Sequence, residues 1–444
     1  MRTKETVSGG VAGPSLRVKL AVVASSLLVG LLIFEVFLRA VGFTYPVFYQ
    51  PDESRGWALR PGMQGWYGKE GGAYVRVNSE GLRDREHSKE KPPGTLRVAV
   101  VGDSYAEAFQ IEQEKAFWSV MERRLQGCQP AGGRRVEVIN FGVSGYGTAQ
   151  ELITLRERVW QYSPDVVLLA VTTNNDLIDN SRVLKGTDEI PYFTLRDGRL
   201  VLDDSFRENA SFRLRDSALN RAGRWLRDHL RFVQAVHLAQ VALKSRLDAW
   251  RHRPAAQERQ ADSVAQSRVP GATAAQPQQG APTYEQGVAN VIYREPTDDT
   301  WRDSWAVTER LIATMNAEVR GRGARFYVVT LSNAIQVYPD ADVRAAFERR
   351  LGVEDLFYPD RRFRALGERE GFPVLNLAPE LQAYADERKL FLHGFGRDLG
   401  NGHWNEEGHR IAGELLARNL CDWLAHAGDV ETPHDEGTRE GGQP

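Results

Sequence analysis

Five short apolar runs recur along the chain, and stretches with helical spacing separate them. They are LRVAVVG (96–102), VEVIN (136–140), DVVLLAVTT (165–173), RFYVVTL (325–331) and PVLNL (373–377). A strand with one wet face alternates apolar and polar residues. These runs are apolar almost throughout, so both faces of each strand must be covered. Helical stretches near 113–126, 148–161, 301–321, 341–350 and 361–370 fill the intervals, and a last one follows at 406–425. Buried strands alternating with amphipathic helices predict a five-stranded, mostly parallel sheet inside a three-layer α/β/α domain. A chain of 444 residues has room for that domain and for insertions.

The rhythm breaks at 181–300. Residues 206–252 read as one or two basic helices, whereas 255–282 is rich in Ala, Gln, Pro and Ser. The second composition cannot bury enough surface to order itself, so a helical excursion followed by a disordered loop is expected. The basic face reads most simply as solvated. A lid over the site, or contact with anionic lipid or a partner, is the other use open to it. The tail 428–444 is expected to be disordered. Residues 44–95 are rich in Gly, Pro and aromatics, with one alternating stretch, AYVRVNSEGLRD (73–84). A short strand and turn without a core of its own is expected there.

The N-terminus carries LAVVASSLLVGLLIFEVFL (20–38), with Glu35 its single charge. As a helix it spans roughly 28 Å, close to the hydrocarbon thickness of a bilayer. Arg2, Lys4, Arg17 and Lys19 precede it, which keeps the N-terminus cytoplasmic and places the rest outside. A cleaved signal peptide is the rival reading, but the apolar region is long for one and FLRAVGF offers no small-x-small site. The expected order is a cytoplasmic segment (1–19), a membrane anchor (20–41), a juxtamembrane segment (42–95) and the main domain (96–427). A net charge of −2 gives no basic surface for nucleic acid. Cys128 and Cys421 have no C-x-x-C spacing, which excludes a cysteine-based zinc site.

Ligands of open α/β sheets bind beyond the carboxyl ends of the strands. Gly102-Asp103-Ser104 follows the first strand, and NFGVSGYG, with Gly142, Gly145 and Gly147, follows the second. TTNND, with Asn174, Asn175 and Asp176, follows the third, and GNGHWNEEGH, with His403, lies beyond the fifth. Taken singly, these are a helix cap, a tight turn, a turn closer and a structural histidine. Together they supply a nucleophile, oxyanion donors and a base, the parts of an acyl-transfer site.

The blocks GDSY, GVSGYG, TTNND and GHWNEEGH resemble those of SGNH/GDSL-type hydrolases, over about residues 96–425 without the insertion. The resemblance implies a flavodoxin-like fold with Ser104 as nucleophile and His403 as base. It implies an oxyanion hole from the Ser104 and Gly145 N–H groups and the Asn175 amide. The anchor and NSEGLRD resemble membrane-anchored bacterial members, implying an inner-membrane protein with its catalytic domain on the periplasmic side. Two departures stand out. Thr173 occupies a position where the family often has Gly, and Gly400 replaces the Asp of Asp-x-x-His. In the related Asp-x-His-Trp of polysaccharide O-acetyltransferases, the Asp position here is Asn401. Asp398 is the nearest upstream carboxylate and is the expected acid, with Asn401 or no acid as alternatives. Glu406 and Glu407 are expected to open the last helix, and His409 to be structural.

The implied activity is hydrolysis of acyl or acetyl esters on an envelope glycan or similar ester, with no cofactor or metal. An O-acyltransferase with the same site, or a non-catalytic carbohydrate-binding or assembly protein, is the alternative. The implied fold also sets the first and last helices side by side. With the chain outside the cytoplasm, a Cys128–Cys421 disulfide is expected, the alternative being two buried thiols.

Overall fold

The computed structural model describes residues 15–128, 133–244, 247 and 288–428. The expected disorder at 255–282 lies outside these residues, and so does that of the tail 428–444 except for Gly428, which ends the last helix. Eleven strands occur among them. They are β1 (Tyr49–Asp52), β2 (Gly56–Leu59), β3 (Gln64–Tyr67), β4 (Ala73–Arg76), β5 (Thr95–Gly102), β6 (Arg135–Asn140), β7 (Val166–Thr172), β8 (Tyr192–Arg196), β9 (Arg199–Asp203), β10 (Arg325–Leu331) and β11 (Val374–Asn376).

The central sheet has the order β11-β10-β7-β5-β6, and every pairing in it is parallel. Alternate residues of each strand point to opposite faces, and the core divides accordingly. Val98, Val100, Leu168, Ala170 and Val329 pack with the helices Phe117–Leu125, Leu377–Arg388 and Glu406–Gly428. Ala99, Val101, Leu169, Val171 and Val328 pack with Thr148–Glu157, Asp299–Gly321 and Tyr358–Glu370. This is the expected three-layer architecture. Strands β5, β6, β7 and β10 fall where the apolar runs predict. β11 is shorter than its run because Leu377 already begins a helix, one the sequence pattern did not reveal.

Three antiparallel hairpins were not expected as such: β1–β2, β3–β4 and β8–β9. The first two lie within residues 42–95. Their Phe48, Leu59, Val75 and Val77 share a cluster with Phe109, Val143 and Tyr146 of the main domain. That sharing is how a segment without a core of its own is ordered.

The described residues form two compact units. One comprises those of Met1–Pro46 and Ala218–Ala256, the other those of Val47–Ser217 and Gln257–Pro444. The first contains the helix Leu16–Ala40, long and apolar enough to cross a membrane, together with helices at Ala218–His229 and 231–244. The second contains the sheet and the site. There Cys128, just past Phe117–Leu125, is bonded to Cys421 in the last helix, with Cα atoms 5.7 Å apart. That spacing is ordinary for a disulfide.

Candidate active site

β5 delivers the chain to Asp103, whose carboxylate accepts from the Tyr105 N–H at 3.0 Å and caps the helix Ser104–Glu107. Ser104 is therefore the first helical residue, in the turn whose N–H groups have no intrahelical partner. Its Oγ lies 2.8 Å from His403 Nε2. The other ring nitrogen, Nδ1, lies 2.5 Å from Glu70 Oε2, and the His403 N–H donates to Glu70 Oε1 at 2.8 Å. One carboxylate thus holds both the ring and the backbone of the histidine.

Glu70 stands in the turn between β3 and β4, outside every motif singled out in the sequence. The carboxylate at His403 Nδ1 is thus that of Glu70 and not that of the expected acid, Asp398. Residues 393–402 close on themselves: Gly394 N–H donates to His403 O, Gly400 N–H to His393 O, and Asn401 N–H to Asp398 O. Asp398 and Asn401 then line the cavity in front of the site, while the imidazole presents Nδ1 to Glu70. Gly402 makes the approach possible. Its φ is +76°, and a Cβ there would stand 2.3 Å from Glu70 Oε1.

His393, also missed in the sequence, braces the same loop. Trp404 Nε1 donates to Ser332 Oγ at 2.9 Å, which leaves the Ser332 hydroxyl to donate to His393 Nε2 at 3.1 Å. His393 Nδ1–H then donates to Gly402 O at 2.7 Å, so the hydrogen-bond chain assigns the tautomer. Burial pulls this ring down to about 4, against the Gly402 bond, and keeps it neutral. His409 is structural, as expected. It accepts from the Phe117 N–H, stacks on the Phe117 ring, and is pushed down to about 3 by burial. Glu406 and Glu407 open the last helix, also as expected.

Asn175 lines the same cavity, and Gly145 lies in the turn after β6. Asn175 Nδ2 donates to Asp103 Oδ2 at 2.8 Å, while Thr172 Oγ1 donates to Asp103 Oδ1 at 3.0 Å. An amide carries two N–H groups, so one orients Asn175 and the second is available to the cavity that it lines. Thr173 accepts from Asn333 Nδ2 at 3.0 Å. Gly145, with φ +78°, lies under the Trp57 ring, whose Nε1 donates to Ser144 O at 3.0 Å. The Ser144 N–H donates to Glu107 Oε1 at 3.1 Å, and Glu107 Oε2 accepts from the Tyr49 hydroxyl at 2.7 Å. Burial pushes Glu107 up to about 7, although both bonds oppose it.

Charge favours a basic imidazole. Burial disfavours the charged ring of His403, but the hydrogen bond and charge of Glu70, with Asp103 and Glu107 beyond, outweigh it and raise the ring. Burial likewise works against the Glu70 carboxylate, and His403 reverses the balance and lowers it. The cavity beside the site holds about 410 Å³ and is lined by Lys69, Asn175, Asn333, Asp398, Asn401 and His403 among others.

No protein-family model and no curated protein matches the chain. Several solved structures are similar to it. One is a lipolytic protein described as of the G-D-S-L family, from Desulfitobacterium hafniense DCB-2 (11% identity, 73% of this chain and 98% of that one, TM-score 0.32). Another is the acetyl xylan esterase AlAXEase (11% identity, 73% of this chain and 100% of that one, TM-score 0.32). A third is an acetylxylan esterase from Geobacillus stearothermophilus (10% identity, 74% of this chain and 94% of that one, TM-score 0.33).

Proposed function

We propose that the chain is a membrane-anchored serine esterase whose site faces away from the cytoplasm, with Ser104, His403 and Glu70 as its catalytic set. The observation that carries this reading is the relay from Ser104 Oγ through both nitrogens of His403 to Glu70. Ser104 Oγ attacks the ester carbonyl as His403 Nε2 takes its proton, and Glu70 stabilises the imidazolium that forms. The N–H groups of Ser104 and Gly145 and the Asn175 amide receive the negative charge on the carbonyl oxygen. His403 returns the proton to the departing alcohol, leaving an acyl-serine. Water, deprotonated by His403, then attacks the acyl-serine, which releases the acid and restores Ser104.

The polar cavity lining, with Lys69, Asn333, Asp398 and Asn401, suits an ester with a small acyl group and a hydroxyl-rich alcohol, such as an acylated envelope glycan. The basic residues before the apolar run 20–38 and the Cys128–Cys421 disulfide support an extracytoplasmic site.

The test is hydrolysis of p-nitrophenyl acetate by the full chain in detergent, with and without a sugar oligomer. Ser104→Ala and His403→Ala should each cost on the order of 10⁴-fold or more in kcat. Retained turnover in Ser104→Ala would remove the serine mechanism. Acetylated sugar among the products would make a sugar hydroxyl, rather than water, the acceptor.

A further inference from the structure

The unit that contains the helix Leu16–Ala40 is inverted in polarity. In Ala218–His229, a helical period puts Leu219, Ala222, Trp225 and Leu226 on one face and Asn220, Arg221, Arg224, Arg227 and Asp228 on the other. The apolar face is the exposed one: Leu219 is 80% exposed, Trp225 58% and Leu226 42%, while Arg224, Arg227 and Asp228 are half-buried. The helix at 231–244 is apolar over most of its length, and it too buries a polar residue while exposing apolar ones, although Gln240 and Lys244 are exposed beside them. Gln234 is 3% exposed, whereas Val236 is 51% and Leu243 59%. In Leu16–Ala40 itself, Glu35 is buried and Leu27, Leu28 and Ile33 are exposed. A helix in water does the reverse, and an apolar surface of this extent marks an interaction site.

Hydrogen bonds fix where that surface lies along the long helix. The Phe232 N–H donates to Glu35 Oε2 at 2.9 Å, and Arg39 Nη2 donates to His229 O at 2.6 Å. Tyr45 N–H donates to Gln234 Oε1 at 2.7 Å, and Gln234 Nε2 to Arg227 O at 2.7 Å. Glu35 is five residues before the helix end at Ala40, which is about 8 Å along the axis. The junction of the two amphipathic helices is therefore held at the C-terminal end of the long one. In a spanning helix, that is the depth at which hydrocarbon meets headgroups.

We infer that Ala218–His229 and 231–244 lie in the headgroup–acyl boundary of a phospholipid bilayer, with Leu219, Trp225, Leu226 and Leu243 immersed in it. The surface is that of the leaflet where Leu16–Ala40 ends, and the inference rests on the proposed membrane span. Amphipathic helices with Trp and Leu on one face and Arg on the other occupy this depth, and Trp favours it. The buried Glu35 and Gln234 follow from the same environment, because polar groups among lipid must be satisfied inside the protein.

Spin labels on the full chain in phosphatidylcholine–phosphatidylglycerol liposomes test this. Both native cysteines are bonded to each other, so Leu226→Cys, Arg227→Cys and Val29→Cys each offer one reactive thiol. Power saturation compares access of oxygen, which concentrates in lipid, with access of a water-soluble nickel chelate. The expected oxygen-to-nickel ratio is several-fold higher at 226 than at 227, and highest at 29. A ratio at 226 equal to that at 227, or a label at 226 shielded from both reagents by another protein, would overturn the inference. Lipid exposure at 29 in that event would leave the membrane anchor standing. A nickel-accessible label at 29 would sink the anchor and the inference together.

Discussion

In the proposed mechanism, Glu70 sets how the site responds to pH. His403 acts as a base only when neutral, and its ring is raised above the ordinary imidazole value because Glu70 outweighs the effect of burial. The base is therefore lost as pH falls through that raised value, and the acid limb of kcat/KM should lie above about 6.5. Glu70→Gln removes the carboxylate charge, so the limb should move to lower pH while kcat falls on the order of 10³–10⁴-fold. Asp398→Asn should leave the limb in place and change the rate little. A pH profile with p-nitrophenyl acetate checks both variants, and a limb moved by Asp398→Asn but not by Glu70→Gln would reverse the assignment. Ser104 and Asn175 were legible in the sequence because each stands just past a strand of an unmistakable sheet, and His403 because it lies in a Gly-rich loop beyond the last strand. Glu70 was not, because KEGG (69–72) is the turn of a hairpin that precedes the sheet. A carboxylate's reach across the fold leaves no local periodicity to read.

At the scale of elements, the same contrast separates what sequence pattern reveals from what it hides. β5 and β7 are buried at every position, so continuous apolar runs identify them. β3 buries only Gly65 of its four residues, and β1 buries none fully, so neither leaves a pattern. These short hairpins are nonetheless what bring Glu70 and Trp57 to the site. The loop at 393–404 receives Glu70 only because residue 402 has no side chain. Gly402→Ala would place Cβ 2.3 Å from Glu70 Oε1 and hold an alanine at a φ of +76°. The backbone strain costs about 1–2 kcal/mol, but the larger effect should be catalytic. A shift of about 1 Å in a catalytic group can cost on the order of 10²-fold. We expect kcat to fall by about that factor while the melting temperature drops only a few degrees. Unchanged kcat in a folded variant would show that Glu70 adjusts without loss.

Across the unit that contains the sheet, a single bond links two distant parts of the chain. Cys128 and Cys421 are 293 residues apart in sequence, yet their Cα atoms are 5.7 Å apart, because the helix after β5 packs against the last helix. The two cysteines alone say nothing about pairing; the α/β topology, which sets those helices side by side, does. Each lies on the face of the sheet that carries Trp118, Trp404 and Leu416 in one cluster, so the bond joins elements that already share a core. Its contribution therefore comes mainly from restricting the unfolded chain. For a loop of this length the chain-entropy model gives roughly 6 kcal/mol as an upper figure. At about 2 °C per kcal/mol for a domain somewhat larger than 250 residues, reduction should lower the melting temperature by about 12 °C. The residues around the bond (Arg124, Gly127, Glu414, Ala417 and Arg418) line no part of the site cavity, so kcat below the transition should change little. Thermal melts with and without reductant, alongside a Cys128→Ser/Cys421→Ser variant, test both halves of this expectation. A variant that melts with the oxidised protein would show that the bond adds nothing to the packing of the first and last helices. Full thiol labelling of the unreduced, denatured chain would show that it does not form.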